Sequence, residues 1–299
     1  MPSWQDFEPF IVSGLALGGV YALSGVGMVV LYQATGVVYL AFGAVGAMGA
    51  LIAWSLINAH APGWVGWLAC VAFGAAVTLG YGIVFGPALA KRDPLVKAVA
   101  TLGLTLVLFG LMDLLWTTSG GESRAITLPT DNGGFMVGQI QVDWTQVISV
   151  ALGIAITVVT GVFLRFTKLG TAMRAMANDR EITATLGVPV RRVEAAAWLG
   201  CGVLAGLAGI LLADLVALDA TTLTFLVISS LAAALIARLR SITITFAAAI
   251  VIGLVHDLLT PIPALTNYRD MTPFVLAAIA LLVLSRGRGS VLTRSREEA

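Results

Sequence analysis

Residues 193–217 read VEAAAWLGCGVLAGLAGILLADLVA, a stretch that is charged only at Glu194 and Asp214. A helix needs about 20 predominantly apolar residues to cross the hydrocarbon core of a bilayer. The quoted stretch is long enough, and its two charges lie near its ends. It therefore predicts a membrane-spanning helix.

The apolar character of this stretch extends over the whole chain. The 299 residues are 59% hydrophobic and 11% charged, and the mean hydropathy is +0.96. A soluble domain is usually about 25% charged and about 45–50% apolar. This composition excludes an ordinary soluble enzyme, and the net charge of +1 argues against nucleic acid as a partner.

Nine apolar segments are predicted to span the membrane. In chain order they are Phe10–Leu31, Val37–Ile57, Trp64–Gly86, Leu95–Trp116, Thr145–Phe166, Val193–Ala217, Thr221–Ala237, Ile242–Thr260 and Thr272–Leu284. The predicted fold class is therefore all-α: a polytopic integral membrane protein of about nine transmembrane helices, with eight as the alternative. The break at 33–36 is soft, which leaves open that the first two spans are partly re-entrant. We predict one transmembrane domain over residues 1–299, with an external loop at 117–144, a long cytoplasmic loop at 167–192 and a basic cytoplasmic tail at 285–299.

The distribution of positive charge predicts the orientation of the chain. Cytoplasmic connections of membrane proteins carry an excess of Lys and Arg. Of the 17 Lys and Arg residues, 15 fall in one set of alternate connections, and only Arg124 and Arg269 fall in the other. We therefore expect the N-terminus outside and the C-terminus in the cytoplasm, an arrangement that an odd number of spans satisfies.

The cytoplasmic loop at 167–192 carries signals for a short helix. Asn178 followed by Glu181 resembles a capping box at a helix start. Gly187 has the position of a glycine just past a helix end, and Pro189 follows two residues later. These signals predict a helix over Asp179–Leu186, preceded by a turn over Thr171–Ala177.

One face of the predicted short helix is apolar. Ile182 and Leu186 are four residues apart and therefore share a face, while Arg180 and Glu181 point elsewhere. Such a helix suits a groove on a cytoplasmic protein. The alternative is a positively charged loop that only anchors the topology.

Four stretches of the chain carry a family resemblance. They read GLALGGVYAL (14–23), PLVKAVATLGL (94–104), LGTAMRAMANDRE (169–181) and LAGLAGI (204–210). Together they resemble the permease subunit of branched-chain amino acid ABC importers, and the similarity extends from about residue 10 to residue 260. The cytoplasmic loop is its most specific part.

The resemblance assigns a role to the cytoplasmic loop. ABC importer permeases carry a Glu-Ala-Ala motif with a glycine six residues after the glutamate, a spacing that Glu181 and Gly187 share. The resemblance implies a coupling helix that docks in a groove of an ATPase subunit. The residues that it implicates are Arg174, Asn178, Asp179, Arg180, Glu181, Ile182, Leu186 and Gly187.

Two stretches depart from the family's pattern. The second span usually reads GVINFAHG, whereas residues 36–43 read GVVYLAFG, with Tyr39 and Phe42 at the Asn and His positions. The family is glycine-rich between its seventh and eighth spans, whereas residues 235–244 contain no glycine.

The resemblance also implies an assembly. The expected partners are two cytoplasmic ABC ATPase subunits, a second similar permease subunit (a heterodimer being favoured over a homodimer), an extracytoplasmic substrate-binding protein and the lipid bilayer. ATP and Mg would be bound by the ATPase subunits, and this chain would bind no cofactor and no metal. It is not expected to be an enzyme, because no Gly-Lys pair of a P-loop and no His-Glu-x-x-His motif occurs in it. The implied activity is import of a branched-chain or related amphipathic amino acid by alternating access across the bacterial cytoplasmic (inner) membrane.

Two residue pairs are candidates for the translocation path. Tyr39 and Phe42 lie three residues apart and could shape an apolar passage, although ordinary packing is favoured for such a pair. Thr101 and Thr105 lie one helical turn apart and could form a polar strip. Threonine hydroxyls also bond to the backbone of their own helix, which is the alternative for this pair.

Two other classes of function stay open at this point. An ion-coupled carrier normally has ionisable residues deep in its spans. Here the in-span acidic residues, Asp113, Asp214 and Asp257, each lie about four residues from the predicted outer end of a span. This placement argues against a secondary carrier. A membrane scaffold without transport activity is the other alternative.

Overall fold

The structure of the chain, a computed structural model, describes residues 4–90, 92–116, 134–137, 140–216, 218–262, 266–280 and 282. The helices are α1 (Trp4–Thr35), α2 (Phe42–Asn58), α3 (Gly63–Leu89), α4 (Pro94–Trp116), α5 (Trp144–Phe166), α6 (Lys168–Asn178), α7 (Arg180–Thr185), α8 (Val190–Leu215), α9 (Ala220–Ile236) and α10 (Ile242–Leu258). A 3₁₀ helix over Thr266–Met271 follows, and residues 272–280 are again helical.

Five of these helices contain stretches long and apolar enough to cross a membrane. They are Phe7–Thr35, Gly63–Leu89, Pro94–Trp116, Trp144–Phe166 and Val190–Leu215. Three shorter apolar helices are Phe42–Asn58, Thr221–Ile236 and Ile242–Leu258. Each of the nine apolar segments predicted from the sequence contains a helix within the described ranges, the ninth through residues 272–280, although residues 37–41 of the second segment are not helical. The expectation of a predominantly helical membrane protein is thus confirmed.

The helix α1 forms the centre of the fold. Almost all of its apolar stretch is buried, and it packs against α5, α8, α9 and α10. The helices α3, α4 and α5 are mostly exposed along their apolar stretches. Large apolar side chains that point outward, such as Leu95, Leu106 and Val159, give these peripheral helices a surface suited to lipid or to another membrane subunit.

Small residues let the central helices approach closely. A Cβ atom on Gly18 of α1 would lie 2.8 Å from the Cα atom of Ile250 on α10. A Cβ atom on Gly206 of α8 would lie 2.7 Å from the Cα atom of Val71 on α3. The glycine spacings in the sequence therefore correspond to helix contacts that a larger residue would push apart.

A short non-helical segment at residues 36–41 separates α1 from α2. It begins at Gly36, whose φ of +66° lies in the left-handed region that favours glycine. Val37, Tyr39 and Ala41 in this segment are buried. The predicted break is confirmed near residue 36, and its backbone passes through the protein interior.

The structure corrects the all-α prediction at one place. The strands β1 (Gly134–Val137) and β2 (Ile140–Asp143) form an antiparallel hairpin within the predicted external loop. Asp143 then begins α5 through a capping box with Gln146. Residues 117–133 of that loop, with Arg124, and the predicted tail at 285–299 lie outside the described residues.

The predicted turn at Thr171–Ala177 is wrong, because these residues belong to α6. The Thr167 hydroxyl caps this helix by accepting a hydrogen bond from the Gly170 amide over 3.0 Å. Met173 and Met176 are buried, and α6 packs against α1 and α5. Burial of one face stabilises a helix that the polar sequence alone does not mark.

Candidate functional site

The helix α7 projects from one end of the bundle as a short, capped element. Asp179 begins it: one carboxylate oxygen accepts hydrogen bonds from the amides of Glu181 and Ile182, each over 2.9 Å. The predicted capping box with Asn178 is therefore wrong, since Asn178 is the last residue of α6. An aspartate has the same capping oxygen and adds a negative charge that favours a helix N-terminus.

The end of α7 follows the prediction. Gly187 has a φ of +81°, and its amide donates to the Ala184 carbonyl over 3.1 Å. Pro189 then precedes the first residue of α8. Because only glycine adopts this φ without strain, the chain reverses at a defined position and holds α7 between two fixed ends.

The face of α7 that points away from the protein is apolar. The side chains of Ile182 and Leu186 are 60% and 78% exposed, while Thr183 on the other side of the helix is buried. Glu181 is exposed beside them. Two large apolar side chains at helical spacing, on a helix fixed at both ends, form a surface suited to a groove in a partner. We call the exposed side of Glu181, Ile182 and Leu186 the α7 surface.

Arg180 is turned towards α8 instead of the α7 surface. Its Nη2 atom lies 2.8 Å from Oε1 of Glu194, and its Nε atom donates to the same oxygen over 2.9 Å. Glu194 lies in the second turn of α8, so this pair ties the two helices together. Sequence reasoning missed Glu194, because no local pattern relates residues fourteen positions apart across a turn.

A second group extends this contact to the break between α1 and α2. The Nζ atom of Lys97 donates to the carbonyl of Thr35, the last residue of α1, over 3.4 Å. Lys97 also interacts electrostatically with Arg180 and Glu194. Lys97, Glu194 and Thr35 border the same cavity of about 10 Å³. The Arg180–Glu194 pair thus joins α7 to α8, and Lys97, which borders the same cavity as Glu194, bonds to the end of the central helix.

Arg174 and Asn178 lie at the edge of another cavity, of about 750 Å³, at this end of the bundle. Arg238, Leu239 and Arg240 line its far side. The Arg174 guanidinium contacts the carbonyl of Arg165 over 3.5 Å. Both predicted residues are exposed and stand near α7 without belonging to its apolar face.

The turn between α9 and α10 is built without glycine, since residues 235–244 contain none. Arg238 and Leu239 have φ values of +54° and +56°, in the left-handed region that favours glycine. Leu239 is nevertheless buried, and its amide donates to the Ala234 carbonyl over 2.8 Å. This turn therefore holds two adjacent residues other than glycine in a strained backbone conformation.

The two candidate threonines of the path have different surroundings. The Thr101 hydroxyl accepts from the Leu40 amide over 3.1 Å, and its own hydrogen faces two acceptors, the Ala98 carbonyl at 2.8 Å and the Val38 carbonyl at 3.1 Å. It therefore supplies a hydrogen-bond partner to part-buried backbone groups of the segment between α1 and α2. The Thr105 hydroxyl donates to the Thr101 carbonyl over 3.2 Å, which is the bond within its own helix that the sequence left as the alternative.

Tyr39 and Phe42 are both enclosed in the protein interior. The Tyr39 ring packs edge-on against Trp198 at a centroid distance of 5.4 Å, and its hydroxyl lies 3.4 Å from the Thr78 hydroxyl. Phe42 is 1% exposed and borders a cavity of only about 10 Å³. In this conformation both rings act as packing residues beside the α1–α2 break.

The described residues contain no group of three or more His, Cys, Asp or Glu side chains arranged to hold a metal ion. Cys70 and Cys201 are both buried and unpaired.

A bundle with several apolar helices long enough to cross a bilayer is the architecture of a multi-pass membrane protein. The chain belongs to the family described as the branched-chain amino acid transport system / permease component, whose model matches residues 10–284. The resemblance stated from the sequence is thereby confirmed.

Three relatives have names that agree with this family. The high-affinity branched-chain amino acid transport system permease protein LivH of Escherichia coli K12 is 26% identical over 92% of each chain. The corresponding permease protein BraD of Pseudomonas aeruginosa is 24% identical over 96% of this chain and 97% of its own. A probable branched-chain amino acid permease protein, LivH of Methanocaldococcus jannaschii, is 25% identical over 85% of this chain and 81% of its own.

Proposed function

We propose that the chain is one of two transmembrane subunits of an ABC importer in the bacterial cytoplasmic membrane. The observation that carries this proposal is the α7 surface, where Ile182 and Leu186 are exposed on a helix fixed by Asp179 and Gly187. Such a surface suits the groove of an ATPase subunit. ATP and Mg would be held by that partner.

The proposed orientation places α7 in the cytoplasm. The 15-to-2 distribution of Lys and Arg supports it, because α6 and α7 lie in the connection with the most basic residues. Nine spans would satisfy this distribution, with the N-terminus outside. The helices α2, α9 and α10 are 17 residues each, or about 25 Å at 1.5 Å per residue, close to the lower limit for a span.

The mechanism we propose is alternating access driven by the partner's ATPase cycle. Closure of the ATPase dimer would move α7, and the Arg180–Glu194 pair would pass that movement to α8. Lys97, which acts on both charges and bonds to Thr35, would extend it to the α1–α2 break. The segment around Tyr39 and Phe42 would then repack as the path opens.

The proposed solute is a branched-chain or related amphipathic amino acid, delivered by an extracytoplasmic substrate-binding protein. The names of the relatives support this class. A second permease subunit would cover part of the apolar faces of α3, α4 and α5. The family resemblance favours a heterodimer of permeases over a homodimer.

ATP-driven uptake in proteoliposomes tests this function. The assembly purified with its native partners is reconstituted, and uptake of labelled L-leucine is followed with the loaded binding protein outside. We expect uptake to require Mg-ATP on the ATPase side and to be indifferent to a proton ionophore. Uptake that an ionophore abolishes and ATP does not affect would support an ion-coupled carrier, and no movement of solute with every partner present would support a scaffold.

The variant Asp113→Asn distinguishes an ABC importer from an ion-coupled carrier. Asp113 is exposed on α4 near the predicted outer end of its span. An ABC importer should keep its leucine uptake in this variant. A carrier that uses Asp113 for ion coupling should lose it.

A further inference from the structure

A large cavity opens at the end of the bundle opposite α7. It has a volume of about 740 Å³ and is bordered by Leu215, the last residue of α8, whereas α7 packs against the start of the same helix through Glu194. Small-molecule sites usually have volumes of about 300–1,000 Å³. The cavity is therefore large enough for a small solute, and in the proposed orientation it faces outward.

The cavity reaches well into the bundle. Ser229 borders it nine residues after the start of α9, which corresponds to a depth of about 13 Å along that helix. Below it α1 and α10 touch through their backbones, since a Cβ atom on Gly18 would lie 2.8 Å from the Ile250 Cα atom. The cavity is thus open at one end and closed towards α7.

The wall combines apolar surface with one acidic and one basic side chain. Leu17, Phe225 and Ile228 contribute apolar surface. Asp257 and Arg269 are the lining residues with full opposite charges, and His256 lies beside them. Asp257 is 8% exposed, and it shares the cavity wall with Ser13, His256 and Arg269.

This combination matches one chemical class of solute. An apolar α-amino acid carries an ammonium and a carboxylate on adjacent atoms and an apolar side chain. A buried carboxylate favours a cation, and a guanidinium favours a carboxylate, because charge-assisted hydrogen bonds are the strong ones in a poorly solvated site. A neutral sugar carries neither of these two charges, and a simple anion carries only one of them.

We propose that this cavity receives the zwitterionic backbone of an apolar α-amino acid on its way into the importer. Asp257 binds the ammonium group, Arg269 binds the carboxylate, and the wall around Phe225 and Ile228 contacts the side chain. The inference rests on the proposed function for its direction of transport. It adds a binding site on the permease itself.

Thiol labelling tests the site directly. The native Cys70 and Cys201 are 0% and 1% exposed, so a membrane-impermeant thiol reagent should label a cysteine placed at the cavity and leave them untouched. Thr222→Cys supplies that cysteine, because Thr222 is exposed and lines the cavity. The assembly in proteoliposomes is labelled in the presence of L-leucine, 3-methylbutylamine or 4-methylpentanoate, all at millimolar concentration.

We expect L-leucine to slow labelling of this cysteine and the two analogues, which lack the carboxylate or the ammonium, to leave the rate unchanged. In the same background, Asp257→Asn and Arg269→Gln should each raise the half-protecting leucine concentration about tenfold or more. Asp113→Asn, an exposed acidic residue that does not line the cavity, is the matched control and should change nothing. Equal protection by all three probes, or no protection by leucine, would overturn the proposal.

The two proposals fail separately in this design. The comparison of the three probes uses the chain with Asp257 and Arg269 intact. It therefore tests the site even if Asp257→Asn or Arg269→Gln fails to fold. Leucine protection without ATP-driven uptake would contradict the proposed function and keep the site. The site would be overturned, and the function kept, by ATP-driven uptake in which leucine does not slow labelling of the cysteine and Arg269→Gln leaves the half-saturating leucine concentration for uptake unchanged.

Discussion

The Nε atom of Arg180 donates to Oε1 of Glu194 over 2.9 Å and thereby joins α7 to the second turn of α8. The side chains are 36% and 14% exposed, so the pair is partly shielded from water. An ion pair of this kind fixes the angle between two helices more than it stabilises the fold. It is therefore well suited to pass a movement of α7 to the membrane-spanning part.

The first prediction concerns this pair. Arg180→Gln or Glu194→Gln should lower the amount of leucine imported per ATP hydrolysed by roughly fivefold, which corresponds to about 1 kcal/mol for a partly exposed pair. Insertion into the membrane should be unchanged. Transport and ATP hydrolysis are measured together in proteoliposomes.

The charge-reversed double variant Arg180→Glu with Glu194→Arg is the control. It should recover part of the lost coupling, because opposite charges again face each other across the α7–α8 contact. Single and double variants with equal coupling would show that the pair does not transmit the movement.

The second prediction concerns the end of α7. Gly187→Ala should weaken binding of the ATPase subunit, because an L residue at a φ of +81° costs about 1–2 kcal/mol. Gly187→Pro should weaken it more, since proline cannot adopt this φ and lacks the amide that bonds to Ala184. Gly187→Asn, the side chain best tolerated in this region, should have the smallest effect. The amount of ATPase that co-purifies with each variant ranks the three substitutions. A different ranking would contradict the role of Gly187 at the end of α7.

The third prediction concerns the strained turn between α9 and α10. Arg238→Gly should leave the protein about 1 kcal/mol more stable than Arg238→Ala, because both variants lose the side chain and only glycine relaxes a φ of +54°. Thermal unfolding in detergent compares the two. Equal stability, or a more stable alanine variant, would mean that the left-handed conformation is not strained.

The fourth prediction concerns the α1–α2 break. Thr101→Val should destabilise the protein by about 1–3 kcal/mol, because the part-buried Leu40 amide loses its acceptor. Thr101→Ser keeps the hydroxyl and should cost less. Thr105→Val is the matched control on the same helix and should be nearly neutral, since the Thr105 hydroxyl bonds only to the Thr101 carbonyl. Thermal unfolding of the three variants tests this, and similar losses for Thr101→Val and Thr105→Val would contradict it.

The features that the sequence predicted correctly are those fixed by local physics. Hydropathy over about 20 residues located the apolar helices, because the cost of leaving backbone groups unpaired in lipid forces such runs to be helical. Gly187 followed by Pro189 marked the end of α7, because both residues restrict the backbone wherever they occur.

The features that the sequence did not predict depend on distant partners or on competing local signals. Asp179 and Asn178 are neighbours with similar capping strength, and only the fold decides that Asp179 begins α7. The helix α6 needs the burial of Met173 and Met176 against the bundle. The contacts of Glu194 with Arg180 and of Thr101 with Leu40 join residues that no sequence spacing relates.

The most direct test of the central claim is whether the α7 surface holds an ATPase subunit. The tagged chain is purified in mild detergent, and the proteins that co-purify are identified by mass spectrometry. We include the double variant Ile182→Glu with Leu186→Glu, which places charge on the exposed face of α7, and the double variant Ile182→Val with Leu186→Met, which keeps it apolar. The account predicts a P-loop ATPase with the unaltered chain and the apolar variant, and its loss with the charged variant. Recovery of the same ATPase with the charged variant, or of no ATPase with the unaltered chain, would contradict it.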